Sequence, residues 1–232
     1  MKRIRAAIVV LLFGAAFAGL AVGYSERTVP SALAMRYLQE VPAELGAANV
    51  VTGILITYRG FDTLGEVAVL FMVAASVGML LSAGAGRRAV PAGASAPPAR
   101  PPSELVVNGA EVVLPVAFLF GAYVIVNGHL SAGGGFQGGA VVASGVVLLV
   151  LARPSVALHH GFLSVTESLA GVFYVALGIL GLIFAGGFLD SHILPRGEFG
   201  AFISAGAIPL ISALLGIKVA AELSVIIDRF RS

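Results

Sequence analysis

The chain has 232 residues, of which 58% are hydrophobic and only 11% charged, and its mean hydropathy is +1.00. Soluble domains carry about a quarter charged residues, and no soluble fold could keep this much apolar surface from water, whereas a bilayer removes that requirement. The absence of cysteine excludes disulfides, thiolate metal sites and iron–sulfur clusters within the chain, and the net charge of +2 reads as membrane topology rather than as affinity for nucleic acid.

The first apolar run, Ile4 to Val22, follows the basic start Lys2-Arg3-Arg5. It exceeds the 7–15 residues or so of a signal-peptide core, so a retained helix is expected rather than a cleaved leader. Residues 24–47 are polar and contain Pro30 and Pro42; within them Leu33–Gln39 can form a short interfacial helix. A short helix over Val50–Thr57 and a spanning helix over Phe61–Leu81 come next, because two separate spans there would be too short for about 30 Å of hydrocarbon. Gly84 to Pro102 is a Pro/Ala/Gly-rich linker that cannot build a core. Four further spans are expected, over Val106–Asn127, Phe136–Leu151, Ser168–Phe188 and Ala201–Leu223. The fold class is therefore an all-α integral membrane protein of about six transmembrane helices. It divides into two modules, 1–83 and 104–232, joined by the linker at 84–103.

Six spans place Lys2, Arg3, Arg5, Arg87, Arg88, Arg100, Arg153, Arg229 and Arg231 on one side. The positive-inside rule then puts both termini and the linker in the cytoplasm.

Charges carried into apolar runs come next, since one at mid-bilayer costs about 2.5–3.5 kcal/mol on insertion scales. Arg59, Asp62 and Glu66 stand at i, i+3 and i+7 and, if that stretch is helical, share one face. Arg59 and Asp62 either pair and tune Glu66 or merely anchor the helix at the interface. Glu66, one turn deeper, is the candidate ion-handling carboxylate. Lys218 and Glu222, at i and i+4, either form an intrahelical ion pair or reach to the headgroups; Lys218 lies deeper and is a possible second relay. Glu111, followed by Pro115, reads as interfacial.

The run Gly133-Gly134-Gly135-Phe136-Gln137-Gly138-Gly139 lacks the Lys and Ser/Thr of a phosphate loop. Gly134/Gly138 and Gly135/Gly139 are spaced for close helix approach, which points to a tight turn into a closely packed helix. His129 and Gln137 lining a hydrated vestibule is the alternative. His159 and His160, followed by Glu167, fall in a cytoplasmic connection and read as solvated or partner-facing. His192, with Asp190, Arg196 and Glu198, reads as part of a solvated external loop. No metal site and no cofactor is expected.

Two runs carry a family resemblance. NVVTGILITYRGFDTLGEVAVLF, from Asn49, resembles the small E-type membrane component of membrane-bound hydrogenases and the C-terminal extension of the large subunit of Mrp-type Na⁺/H⁺ antiporters. LPVAFLFGAYVIVNGHLSAGGGFQGGAVVAS and the tail PLISALLGIKVAAEL resemble the Mrp antiporter B subunit, or MnhB domain. Together the likeness covers most of residues 1–82 and 104–230. It implies a non-catalytic membrane subunit, in the inner membrane of a prokaryote, of a multisubunit assembly that exchanges Na⁺ (or another cation) for H⁺. The partners implied are other membrane subunits of that type. It also implies that Glu66, with Asp62 beside it, is the family's acidic residue and that Lys218 is the lysine of its GIKV run. Fusion of the two modules departs from relatives that keep them separate. It leaves open a hydrogenase-like redox complex, or a structural adaptor in either assembly. Glu222 departs from the small residues usual at that place.

Overall fold

In a computed structural model the described residues are 2–25, 28–85 and 102–231; the linker expected at 84–103 falls almost wholly outside them. The chain forms two compact units, residues 1–36 and 37–232. In the first, α1 (Lys2–Gly23) is a single apolar helix, and α2 (Ala32–Glu40) starts after Pro30.

The second unit continues through a π-type turn at Val41–Leu45, with Pro42 in its opening turn. Gly46 ends this turn in the left-handed conformation. The chain then bends by 80° into α3 (Val50–Gly53), prolonged to Tyr58 by a second π-type turn. The short helix expected at Val50–Thr57 is thus present as half of a broken segment. Five long helices complete the unit: α4 (Gly60–Ala85), α5 (Glu104–Val126), α6 (Gly135–Ala152), α7 (His160–Phe184) and α8 (Ile208–Arg231). With α1, six helices are long and apolar enough to cross a membrane.

Two spans differ from the hydropathy reading. α7 begins at His160 rather than Ser168, because His160 and Glu167 find partners on α8 and need not leave the helix. α8 begins at Ile208 rather than Ala201 and runs on to Arg231. Ala205 and Gly206 take positive φ of 62° and 59° and stop a helix there, while Pro209 sits in the opening turn, where proline is tolerated.

Helix α8 is the centre of the unit and packs against α4, α5, α6 and α7. The main apolar cluster joins Val41, Leu45 and Ile56 to Tyr174, Leu189, Ile208 and Ile211. A smaller one joins Val67 of α4 to Leu215 and Val219 of α8. The 185–207 connection is folded rather than loosely solvated. His192 Nδ1 meets Asp190 Oδ1 at 2.6 Å and its Nε2 lies 3.3 Å from the Glu44 carbonyl, while Arg196 donates to the Ala43 carbonyl. At the opposite end Arg153 bridges to Glu111 at 2.5 Å, tying the end of α6 to α5.

Candidate functional site

The site is assembled where the glycine loop meets the broken segment. Asn49 caps α3, its Oδ1 accepting from the Thr52 amide at 3.3 Å. Its Nδ2 donates to the carbonyls of Gly128 (2.8 Å) and Ser131 (2.7 Å). Thr52 Oγ1 donates to the Gly133 carbonyl at 3.2 Å. One asparagine and one threonine therefore fasten residues 49–52 to the loop at 127–134. Gly133 and Gly134 hold φ of +148° and +140°, backbone that L-residues rarely adopt. This turn aims the start of α6 directly at α8.

The glycines of α6 then let three backbones meet. A Cβ on Gly135 would stand 2.2 Å from the Ser212 carbonyl, and one on Gly139 2.7 Å from that of Gly216; on the other side, Gly138 faces the Gly121 carbonyl of α5 at 2.7 Å. Gly135 and Gly139 thus pack on α8 and Gly138 on α5, whereas Gly134 belongs to the turn.

Beside this contact lies a groove of about 600 Å³, open on one side. Thr52, Thr63, Glu66, Gln137, Gly134 and Leu215 stand among its lining residues. Glu66 and Gln137, far apart in sequence, are brought to one wall-lined space. Glu66 is exposed in the isolated chain. Arg59 and Asp62 do pair, at 2.5 Å, but both side chains are about half exposed, at 59% and 49%.

Lys218 occupies a different place. It is 7% exposed, with Nζ 3.0 Å from Glu222 Oε2 and 3.3 Å from Glu167 Oε1, and it stands 5.8 Å from the Phe71 ring centroid. His160, rather than being solvated alone, meets Asp228 at 2.5 Å. Among the described residues, no three His, Asp or Glu side chains converge as metal ligands.

Residues 105–225, more than half the chain, match the domain related to the MnhB subunit of Na⁺/H⁺ antiporters. The chain belongs to this MnhB-related family. Residues 1–99 of this MnhB-related protein match the MbhE family, the E component of MBH, so the two modules stand in tandem. An uncharacterized protein of Methanocaldococcus jannaschii is 36% identical over 113 residues, covering 45% of the chain and 43% of that protein. A probable K⁺/H⁺ antiporter A/B subunit of Rhizobium meliloti is 27% identical over 93% of the chain and 23% of that protein. The chain therefore spans less than half the length of these curated relatives. Among solved structures, a chain of the membrane-bound sulfane sulfur reductase, an archaeal respiratory membrane complex, superposes with a TM-score of 0.78. It is 34% identical, over 99% of this chain and 97% of that one. A chain of the Mrp complex from Dietzia sp. DQ12-45-1b has a TM-score of 0.74 at 23% identity, over 98% of this chain and 26% of that one; this likeness is one of fold. The MnhB-related protein is thus a multi-pass membrane subunit of the kind found in Mrp-like prokaryotic complexes.

Within the MnhB domain His129 is fully buried. Burial holds its imidazole below the ordinary value of 6.5, opposed by backbone hydrogen-bonding groups at Ala201, Phe202 and Val126. A histidine kept neutral in the fold and free to protonate when unfolded stabilises the protein fully above pH 6.5. That contribution is lost progressively as pH falls below 6.5 towards the lowered folded value. Thermal unfolding of the protein in detergent should therefore show stability falling with acidification across this window. His129→Leu should flatten that part of the profile; an unchanged slope in the variant would show that other groups set it.

Three residues of these sites escape sequence reasoning. Asn49 and Thr52 carry no charge and act through distant carbonyls. Glu167 lies outside the hydropathy-defined span. Its i+4 spacing from Leu163 and Gly171 on an extended helix is the signal that could have placed it on the α8-facing side.

Proposed function

We propose that this protein lines an ion path in a multisubunit cation/proton antiporter of the Mrp type, with Glu66 as the carboxylate that binds the travelling proton or cation. The observation that supports this most is the groove of about 600 Å³ in which Glu66 stands with Gln137, Thr52 and Thr63. A carboxylate with neutral oxygen donors around it suits a dehydrated monovalent cation or a proton. Such a group at membrane depth is a functional candidate by default. The groove's open side would be closed by a neighbouring subunit, and Arg59 with Asp62 would shape the field at its mouth. Lys218 would serve as a second relay. Both termini are assigned to the cytoplasm, on the distribution of lysine and arginine. The chain carries out transport and no chemical conversion of its own, and Na⁺ and H⁺ are the ions proposed.

A second reading is favoured by the 34% identity over 99% of the chain to a chain of an archaeal respiratory membrane complex. In it the same path would be driven by a redox enzyme formed by other chains.

The test is Glu66→Gln in the complete assembly, in inside-out vesicles with a pH-sensitive dye. Cation-induced proton movement should drop at least tenfold while the subunits still co-purify. Full antiport by a normally assembled variant would remove Glu66 from the path.

A further inference from the structure

We propose that α7, α8 and α4 enclose a second, separate proton inlet: a hydrated cavity leading from His160 and Asp228 to the buried Lys218–Glu167–Glu222 cluster, which takes up one proton. This proposal stands independently of the role given to Glu66.

The cavity measures about 500 Å³; His160, Ser164, Glu167, Ser168 and Arg229 supply its polar lining, and Phe71 of α4 closes one side. Positions 160, 164, 167, 168 and 171 fall on one face of α7, and 218, 222, 225 and 229 on one face of α8. The packed pair therefore presents a continuous row of ionisable and hydroxyl groups, deep inside helices that are otherwise apolar. A cavity with several polar partners and room for several waters is the kind that fills with water.

Charge balance drives the argument. Lys218 contributes one positive charge, and Glu167 and Glu222 two negative ones, within 3.3 Å of the same Nζ. With both carboxylates ionised the cluster carries a net negative charge among apolar helices, which a low-dielectric interior resists. One proton cancels it. Glu222 is 0% exposed, and its second carboxylate oxygen, Oε1, has no hydrogen-bond partner among the described residues, so a buried acceptor stands open across Lys218 from Glu167, the member of the cluster that lines the cavity. In the step itself, a hydronium in the cavity gives its proton to a carboxylate oxygen of the Glu167–Glu222 pair and is left as water. Lys218, hydrogen-bonded to both, holds the carboxylates in place.

At the mouth, the His160–Asp228 pair at 2.5 Å and Arg229, whose Nη1 donates to the Ala74 carbonyl at 3.1 Å, set the local field. The residues that α4 contributes to the cavity, Phe71, Ala74 and Ala75, do not titrate. The contact of α6 with α8 here is through Gly139 and Val219. Further along the same face of α7, Tyr174 is buried with its hydroxyl unpaired among the described residues.

The absence of native cysteine makes the test direct. Ser164→Cys and Ser168→Cys, made in the assembled complex in native membranes, would be exposed to a charged, membrane-impermeant methanethiosulfonate reagent and read on this chain by mass spectrometry. Both should react at least tenfold faster than Leu169→Cys, whose native side chain points away from the cavity and is exposed. Infrared titration of the same complex should show a protonated-carboxyl stretch, shifted in D₂O, that Glu222→Gln or Glu167→Gln removes or displaces. Equal labelling rates at the three positions would mean a dry cavity and overturn the inlet. So would a carboxyl band unchanged in both glutamine variants. Neither readout depends on Glu66, so a failed Glu66→Gln transport test leaves this proposal standing or falling on its own.

Discussion

Gly135→Ala is expected to destabilise the protein by about 3 kcal/mol or more, at the upper end of overpacking effects. Its new methyl would stand 2.2 Å from the Ser212 carbonyl, 2.9 Å from the Gly216 amide nitrogen and 2.9 Å from Leu215 Cβ. Two of the three are backbone atoms that no rotamer change can withdraw. The start of α6 would have to back away from α8, breaking the contact at the centre of the unit. The same shift would disturb the Gly133 and Gly134 turn and the bond from Thr52 to the Gly133 carbonyl. Gly65→Ala and Gly109→Ala are the controls. A methyl at either meets nothing within 4 Å, and alanine is the better helix former. Unfolding in mixed micelles with increasing SDS should show Gly135→Ala far less stable, with both controls near the parent protein. Equal midpoints for all three would mean that α6 and α8 are not in backbone contact.

Lys218→Met should cost about as much, roughly 3–5 kcal/mol, the range for removing one member of a buried ion pair. It leaves Glu222, fully buried, and Glu167, 13% exposed at its side chain, facing each other with no cation between them. Glu222→Leu should cost less, because Lys218 retains Glu167 at 3.3 Å. Replacing both, as Lys218→Met with Glu222→Leu, should recover much of the loss, since it removes the fully buried carboxylate and leaves only Glu167, 13% exposed at its side chain, without its cation. The double-mutant cycle isolates this coupling. A double variant as unstable as the sum of the two single changes would show that Lys218 and Glu222 do not interact in the folded state.

These expectations also show how the polar residues divide between what a sequence can and cannot reveal. Lys before Glu at i, i+4 is the weaker orientation on an exposed helix, and spacing alone leaves an outward reach to the headgroups equally open. The pair forms because Glu167 arrives from α7 and the packing of α7 on α8 leaves Lys218 and Glu222 almost wholly buried, which strengthens each contact. Glu222 finds its partner there. Asp62 and Arg59 need no such help: Arg59 is the turn residue just before α4 and Asp62 lies in the first turn of that helix, so local geometry alone brings them together.

The membrane environment, the all-helical class, the six long apolar helices and the kinship of the two modules were legible from the chain itself. Hydropathy and distinctive runs are local properties that survive without any contact. The start of α7 and the end of α8 were not legible, because polar residues end a span only when nothing shelters them; the start of α8 was not, because the positive φ of Ala205 and Gly206 sets it. The placing of Gln137 and Glu66 along one groove, the Asn49 staple and the three-residue charge cluster around Lys218 were also decided by tertiary structure. Each joins residues from separate helices or loops. Their distances depend on how closely glycine lets backbones approach, and that becomes definite only when the helices pack.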